Sequence, residues 1–233
     1  MKSTTTLTEA LAEICATDIP LAERLSRYAA AMRESGSPFA SEYDRLVARL
    51  RAGEAGAVTP EAGDIMPPFL FPDSTGRMTS LSALLAHGPV ILSFNRGHWC
   101  PFCKIELRAL AEAGPQFAKF GAQVVSIMPE RQSSTASIAA ELLNRLTVLS
   151  DIDNGYAMSL GLVMSVGDVV RQLMAERGWS LDIFQGNDAW LLPLPATFVV
   201  GREGRILARF VDPDFRTRMA ISDILTALQL SAI

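Results

Sequence analysis

The chain has 233 residues, 49% of them apolar and 20% charged, with a formal net charge of -4. This composition is typical of a folded protein, and the length allows one domain of ordinary size with additional residues. The acidic balance argues against nucleic-acid binding, which needs a basic surface. The apolar stretches 89–94 and 189–200 are shorter than the roughly 18 residues of a membrane span. The N terminus lacks the pattern of a secretory signal, so we expect a cytoplasmic protein without nucleic-acid or membrane partners.

Residues 1–52 have the apolar spacing of short amphipathic helices. Leu21, Leu25 and Tyr28 recur every three or four positions, and the same spacing returns from Phe39 to Leu50. Such a spacing places the apolar side chains on one face of each helix. Because these faces need a partner, we expect the helices to pack on the remainder of the chain or on a second subunit in a homodimer.

The chain divides into a helical extension (1–52), a linker (53–61) and one domain (62–233). The linker is rich in Ala, Gly, Pro and Glu, and the domain alternates strand and helix patterns. Strands are expected at 90–94, 123–128, 147–149, 197–200 and 206–211, and helices at 80–86, 101–113, 135–144, 155–160, 166–177 and 222–230. A hairpin turn at 201–204 makes at least one strand pair antiparallel. The sequence thus predicts an α/β fold with a mixed central sheet flanked by helices.

Two of the three cysteines form the sequence Cys100-Pro-Phe-Cys103, between a predicted strand and a predicted helix. Pro101 suits the first helical position and places Cys100 at the N-cap, where free amides and the helix dipole favour a thiolate. The charges of Arg96 and Lys104 act in the same direction if they face the sulfur. Cys103 follows one helical turn later on the same face. It is therefore placed to attack a sulfenic acid or a mixed disulfide on Cys100.

Two other interpretations of the cysteine pair fit the sequence less well. A structural zinc site usually has four ligands, whereas the chain offers only two histidines and Cys15 beyond the pair. If both cysteines were inert buried residues, the Pro and Trp residues around a cysteine pair at a helix start would be a coincidence. A redox-active dithiol is favoured, no metal or cofactor is expected, and Cys15 fits the apolar face of its own helix as a small packing residue.

Several segments resemble known families. Trp99 to Lys104 at a strand-to-helix junction is similar to the thioredoxin superfamily, and Leu194 to Phe198 resembles its cis-proline segment. The match to the peroxiredoxin branch, the alkyl hydroperoxide reductase and thiol-specific antioxidant group, extends over about residues 62–230. The segments that carry this second resemblance are 63–69, 73–81 and 149–161, and those typical of its peroxiredoxin-like subgroup are 96–103 and 210–216.

The resemblance implies a thioredoxin-like fold and a thiol-dependent peroxidase. Cys100 would attack hydrogen peroxide or an organic hydroperoxide, Cys103 would resolve the product to an intramolecular disulfide, and a thioredoxin-type protein or small thiol would reduce it. The supporting residues would be Arg96, Gly97, Trp99, Pro101 and Pro195, with a cis peptide bond before Pro195.

Two positions depart from the family pattern. Gly97 stands where typical peroxiredoxins have a threonine that orients the peroxide, and Pro195 stands where they have an arginine that stabilises the developing oxyanion. Arg96 is the nearest replacement for that guanidinium, and backbone amides around Cys100 offer further donors.

Two further functions stay open from the sequence. The same cysteine pair fits a thioredoxin-like protein disulfide oxidoreductase, and the N-terminal helices fit a non-enzymatic interaction module. Around the pair, His98 fits either a solvent-exposed loop residue or a general base, and Trp99 fits either packing or a contact with thiolate or substrate. Glu106 and Arg108 are expected on a solvated helix face.

Overall fold

The computed structural model describes residues 6–231. It begins with the helices α1 (Leu7–Ala16), α2 (Leu21–Glu34) and α3 (Pro38–Ala52), in the segment where the apolar spacing predicts helices. Thr6 caps α1 by accepting the Glu9 amide, while the Glu9 carboxylate accepts the Thr6 amide. This reciprocal pair satisfies two amides that would otherwise be unpaired at the start of the helix.

Short strands and helices alternate through the remainder of the described chain. The strands are β1 (Leu70–Pro72), β2 (Met78–Ser80), β3 (Val90–Phe94), β4 (Gln123–Met128), β5 (Thr147–Ser150), β6 (Val163–Ser165), β7 (Leu191–Pro193), β8 (Ala196–Val200) and β9 (Ile206–Val211). The helices are α4 (Leu81–Leu85), α5 (Pro101–Phe117), α6 (Gln132–Glu141), α7 (Gly155–Ser159), α8 (Asp168–Glu176), α9 (Leu181–Gln185) and α10 (Ile221–Leu230).

The central sheet has the strand order β5-β4-β3-β8-β9. Strands β3, β4 and β5 are parallel, whereas β8 is antiparallel to both β3 and β9. All five side chains of β3 are buried, as expected for a strand covered on both faces. The mixed α/β sheet predicted from the sequence is confirmed, and β3 leads from its centre into the Cys100 loop and α5.

The main differences from the sequence prediction concern short elements and helix ends. Strands β1, β2, β6 and β7 were not predicted, because three residues are too few to show a period. The five-residue helix α9 was not predicted either. Helix α5 continues past its predicted end at Ala113, through Pro115, to Phe117. Phe117 is 1% exposed within an apolar cluster, and this burial favours the last turn despite the lost amide of the proline.

The expected cis peptide bond before Pro195 is wrong, since no cis bond occurs among residues 6–231. The trans form is the lower in free energy for an X-Pro bond, by about 0.5–1 kcal/mol. The segment is also held by strand pairing, because the Leu194 amide donates to the Leu162 carbonyl. Leu194 and Pro195 thus connect β7 directly to β8.

The N-terminal helices pack over the Cys100 end of α5. The Tyr28 ring of α2 meets Phe102 edge to face at 5.3 Å between centroids, and the Tyr43 ring of α3 meets Phe215 at 5.0 Å. Edge-to-face pairs of this kind stabilise a packed interface beyond the burial of apolar area. The extension and the two cysteines of the Cys-Pro-Phe-Cys sequence thus share one apolar core.

Ion pairs join the two sides of the same interface at its edges. Arg24 of α2 lies 2.8 Å from Glu112 of α5, and only 6% of the Arg24 side chain is exposed. After β9, Arg216 binds both Asp214, at 2.7 Å, and Asp44 of α3, at 2.6 Å. The charged residues after β9 therefore link the sheet to the extension. Among the residues described, every helix is too short or too polar to cross a membrane.

Candidate active site

Cys100 lies where the central strand β3 passes into helix α5. It is the N-cap residue of α5, with φ -82° and ψ 116°, and Pro101 occupies the first turn of the helix. The Cys100 amide donates to the Gly97 carbonyl at 3.2 Å, which closes the loop into a tight turn. Cys100 and Cys103 are both free thiols with 0% exposure. The loop and helix start predicted from the sequence therefore place both sulfurs in the protein interior.

The Arg96 side chain contacts the Cys100 sulfur directly. Its Nη2 lies 3.1 Å from Cys100 Sγ, and its backbone amide lies 3.4 Å from Cys103 Sγ. The guanidinium is 1% exposed, and its Cζ lies 4.1 Å from the centroid of the Phe215 ring and 5.6 Å from that of Tyr43. These aromatic faces hold a buried cation in place and leave its N–H edge free to face the sulfur.

A second buried arginine, Arg218, serves the other cysteine and was not found from the sequence. Its Nη2 lies 3.7 Å from Cys103 Sγ, and its Nε donates to Glu106 at 2.5 Å. Arg218 follows Cys103 by 115 positions, so local patterns do not connect the two residues.

The expected solvated position of Glu106 is wrong. Glu106 is 2% exposed and accepts from Ser93 Oγ at 3.1 Å as well as from Arg218. It follows Cys103 by three positions, which places both side chains on the same inward face of α5. That spacing is the sequence signal that could have found it. Arg108 lies on the exposed face as expected.

The two thiols differ in acidity. Burial opposes ionisation of Cys100, but the hydrogen bond from Cys103 and the positive charge of Arg96 outweigh it and hold the Cys100 pKa well below its usual value. Burial, together with the adjacent Cys100 sulfur, raises the pKa of Cys103 well above its usual value. The first proton therefore leaves Cys100, and Cys103 stays protonated beside the thiolate.

The loop before Cys100 is fixed by a buried carboxylate, Glu130, which the sequence analysis missed. Glu130 is 0% exposed, accepts from the His98 amide at 2.8 Å and pairs with His98 Nδ1 at 2.8 Å. Gly97 has φ +147°, and a Cβ there would lie 2.5 Å from Trp99 Nε1 and 2.7 Å from Glu130 Oε1. A threonine therefore does not fit at this position, and His98 is tied to the loop.

Trp99 lies between Cys100 and an open cleft of about 490 Å³. The indole is 7% exposed and packs against Trp179 with ring centroids 5.0 Å apart. His98, Pro101 and Lys104 line the same cleft. The cleft therefore borders both the Cys100 loop and the first turn of α5.

The remaining sequence-predicted residues have looser links to the sulfurs. Pro195 is buried immediately before β8, whose Ala196 is in register with Phe94 at the end of β3. Cys15 is partly buried on α1 against the apolar core that contains Cys100. In the described part of the chain, no three His, Cys, Asp or Glu side chains cluster as a metal site would require.

Comparison with known proteins assigns this chain to a family. The AhpC/TSA family model matches residues 62–209. The chloroplastic peroxiredoxin Q of Sedum lineare is 33% identical over 100 residues, which cover 43% of this chain and 53% of that protein. The matched segment therefore spans about half the length of that relative.

Two solved structures share the fold. Peroxidoxin BcpB from Mycobacterium tuberculosis superposes with a TM-score of 0.57 at 24% identity, over 73% of this chain and 97% of that one. Peroxiredoxin Q from Xanthomonas campestris superposes with a TM-score of 0.53 at 18% identity, over 71% and 92%. Since the family model also covers more than half of the sequence, the chain belongs to the AhpC/TSA family and is a peroxiredoxin-like member of the thioredoxin superfamily.

Proposed function

We propose that the protein is a thiol-dependent peroxidase in which Cys100 reduces a peroxide and Cys103 resolves the product. The observation that carries this proposal is the contact of 3.1 Å between Arg96 Nη2 and Cys100 Sγ in a fully buried site. A buried cation against the sulfur favours the thiolate, which is the nucleophilic form of cysteine. Membership of the AhpC/TSA family supports the same reaction.

The first step is attack by the Cys100 thiolate on the terminal oxygen of a hydroperoxide. The S–O bond forms, the O–O bond breaks, and the electron pair leaves with the second oxygen, which takes up a proton to give water or an alcohol. That proton balances the one lost when Cys100 ionised. Cys100 becomes a sulfenic acid and the peroxide is reduced. Arg96 is placed to stabilise both the thiolate and the charge that develops on the oxygens.

The second step is condensation of Cys103 with the sulfenic acid. The Cys103 sulfur attacks Cys100 Sγ, the S–S bond forms and the S–O bond breaks, and the hydroxide takes the thiol proton and leaves as water. Arg218, 3.7 Å from Cys103 Sγ, is placed to stabilise negative charge on the attacking sulfur. Oxidation of Cys100 removes the adjacent thiolate, one of the causes that raise the Cys103 pKa, and this favours the second step.

We propose that a thioredoxin-type protein or a small thiol then reduces the disulfide in the cytoplasm. Both sulfurs are buried beneath α2 and α3, so this step requires a local opening of the extension or of the loop. The same burial disfavours the alternative of a protein disulfide oxidoreductase. A folded protein disulfide cannot approach Cys100 without that opening, whereas hydrogen peroxide is the size of two water molecules.

The test is the identity of the oxidised product. The reduced full-length chain is treated with one equivalent of hydrogen peroxide, and the cysteines are assigned by peptide mass spectrometry. We expect one peroxide consumed per chain and a disulfide between Cys100 and Cys103. In Cys103→Ser the expected product is a sulfenic acid on Cys100, trapped by a dimedone reagent.

Cys15→Ser is the matched control, because Cys15 is the third cysteine of the chain and lies on α1, outside the Cys100–Cys103 pair. It is expected to consume peroxide as the wild-type chain does, and Cys100→Ser to consume none. Retained consumption in Cys100→Ser, or a sulfenic acid on Cys15 instead of Cys100, contradicts the proposal.

A further inference from the structure

Two buried nitrogen donors beside Cys100 have no protein acceptor. Within residues 6–231, the buried side-chain nitrogens that make no hydrogen bond are Arg96 Nε and Trp99 Nε1. They precede Cys100 by four positions and one position. Buried donors are almost always paired, and leaving one unpaired costs about 1–3 kcal/mol. Both nitrogens lie in the reactive loop, where the proposed reaction itself supplies an oxygen as acceptor.

The geometry of the Arg96 guanidinium shows where its free donor points. The Nε–H bond and one Nη2–H bond of a guanidinium are parallel and lie on the same edge. Arg96 Nη2 donates to Cys100 Sγ at 3.1 Å. The unpaired Nε of the same guanidinium therefore lies close to the sulfur, within reach of the region that an oxygen attacked by that sulfur occupies.

The Trp99 indole approaches the same loop from the cleft. Its Nε1 lies 2.5 Å from the position of a Cβ on Gly97, so the N–H points inward against the glycine rather than into solvent. Its ring centroid lies 5.5 Å from Arg96 Cζ, and the side chain is 7% exposed. Of the residues that line the cleft, Trp99 is the one with a buried, unpaired donor.

We propose that Trp99 Nε1–H and Arg96 Nε–H are the two side-chain donors that hold the peroxide oxygens at Cys100. This inference rests on the proposed peroxidase function and assigns a catalytic role to Trp99. During attack the S–O bond forms at one oxygen while the O–O bond breaks, and negative charge accumulates on the departing oxygen before it takes up a proton. A donor on each oxygen aligns the O–O bond with the sulfur and stabilises that charge.

The absence of a Cβ at Gly97 is part of the same arrangement. A Cβ at this position would come within 2.5 Å of Trp99 Nε1 and 2.7 Å of Glu130 Oε1. The glycine thus leaves room for the indole N–H to reach into the loop. This explains, from contacts within this chain, why a tryptophan and a glycine occur together two positions apart.

The test removes the N–H while keeping an aromatic ring. Trp99→Phe in the full chain is expected to react with hydrogen peroxide about 10- to 100-fold more slowly, the effect of losing one hydrogen bond to a group that gains charge. Its alkylation by iodoacetamide, which needs the thiolate but presents no peroxide oxygen, is expected to keep the wild-type rate and pH profile. The rates are followed by quenched-flow mass spectrometry, which does not depend on tryptophan fluorescence.

Two further variants separate the donor from the packing. Trp179→Phe is the matched control, because Trp179 contacts Trp99 at 5.0 Å but its N–H is not one of the buried, unpaired donors; we expect wild-type rates. Replacement of Trp99 by 3-benzothienylalanine, in which sulfur takes the place of N–H, retains the shape and is expected to be as slow as Trp99→Phe.

The outcomes distinguish this inference from the proposed function. A wild-type chain that reacts rapidly with peroxide, together with an equally rapid benzothienyl variant, overturns the role of Trp99 and leaves the peroxidase function intact. Equal loss of the peroxide and iodoacetamide rates also overturns it, since the indole would then act only by holding the loop. A wild-type chain that does not react rapidly with peroxide overturns the proposed function itself.

Discussion

The guanidinium of Arg96 donates to the sulfur of Cys100 across 3.1 Å while its flat face lies on the ring of Phe215. The cation is thus held by an aromatic residue that follows the last strand and is covered by Tyr43 of the N-terminal extension. Three distant parts of the chain therefore hold in place the cation that, together with the hydrogen bond from Cys103, lowers the pKa of Cys100.

Replacing Arg96 is expected to raise the pKa of Cys100. An adjacent opposite charge accounts for about one to three pH units, so Arg96→Met moves the Cys100 titration upward by that amount, whereas Arg96→Lys moves it less. Because the wild-type pKa lies well below the usual value, the wild-type thiolate persists as the pH falls below about 8.5. In Arg96→Met the Cys100 thiolate instead becomes protonated as the pH falls below about 8.5.

The measurement is the rate of iodoacetamide alkylation against pH in Cys103→Ser and Cys103→Ser/Arg96→Met chains. Removing Cys103 in both chains also removes its hydrogen bond to Cys100, so the comparison isolates the effect of Arg96. The same midpoint in the two chains contradicts the assigned role of Arg96.

The ion pair between Glu106 and Arg218 is expected to show strong energetic coupling. Glu106 and Arg218 are 2% and 1% exposed at the side chain and lie 2.5 Å apart. Removing one partner of such a pair leaves a buried charge and costs about 3–5 kcal/mol, whereas replacing both with apolar groups costs far less. In urea unfolding, Glu106→Leu/Arg218→Met should therefore be more stable than the two single variants predict when their effects are added.

The matched control for this cycle is the exposed pair of Arg27 and Glu23 on α2, whose side chains are 51% and 47% exposed. Exposed pairs contribute about 0–1 kcal/mol, so Arg27→Ala is expected to change the free energy of unfolding by no more than that. Additive effects at Glu106 and Arg218 contradict the description of a coupled buried pair.

Loosening α2 is expected to expose the reactive sulfur. Arg24 is almost buried and binds Glu112 of α5 at 2.8 Å, so Arg24→Ala weakens the contact between the extension and the helix that carries Cys100. We expect faster labelling of Cys100 by a bulky maleimide and a smaller acceleration with iodoacetamide, which needs a smaller opening. Arg27→Ala on the same helix is the control, and equal labelling rates in the two variants argue against the extension as the cover.

Gly97→Ala is expected to destabilise the protein by about 1–3 kcal/mol, the cost of a residue held in a sparsely populated conformation. The added methyl group would also collide with Trp99 Nε1 and Glu130 Oε1. Gly155→Ala is the control, since Gly155 has φ -60° and ψ -43° and a Cβ there meets nothing within 4 Å. That variant is expected to be neutral or more stable by about 0.4–1 kcal/mol, and similar losses at both sites contradict the prediction.

The sequence predicts the parts of the site that are local in the chain. A buried strand, a short loop and a helix that begins with proline place Cys100 at the helix start, with Cys103 one turn later and Arg96 close before. The mixed sheet follows from the strand patterns and the 201–204 hairpin in the same way. These features depend on neighbouring residues and on repeats of two or three to four positions, which a single sequence displays.

The missed features join residues that are far apart in sequence. Arg218 reaches Cys103 across 115 positions and Glu130 reaches His98 across 32, distances over which no local pattern acts. Glu106 was assigned to solvent because charged residues are rarely buried unless paired, and its partner lies 112 positions away. The extension's role as a cover depends on tertiary packing and was therefore only one of two alternatives at the sequence level.

The rate of the wild-type chain with hydrogen peroxide tests the central claim most directly. A free thiol with a pKa of about 8.5 is about 3% ionised at neutral pH, so complete ionisation alone explains an acceleration of only about 30-fold. We predict a second-order rate constant at pH 7 that exceeds that of a free thiol by clearly more than this factor, and a slower reaction with a protein disulfide. A peroxide rate within about 30-fold of the free thiol, or a faster reaction with the protein disulfide, would contradict the account.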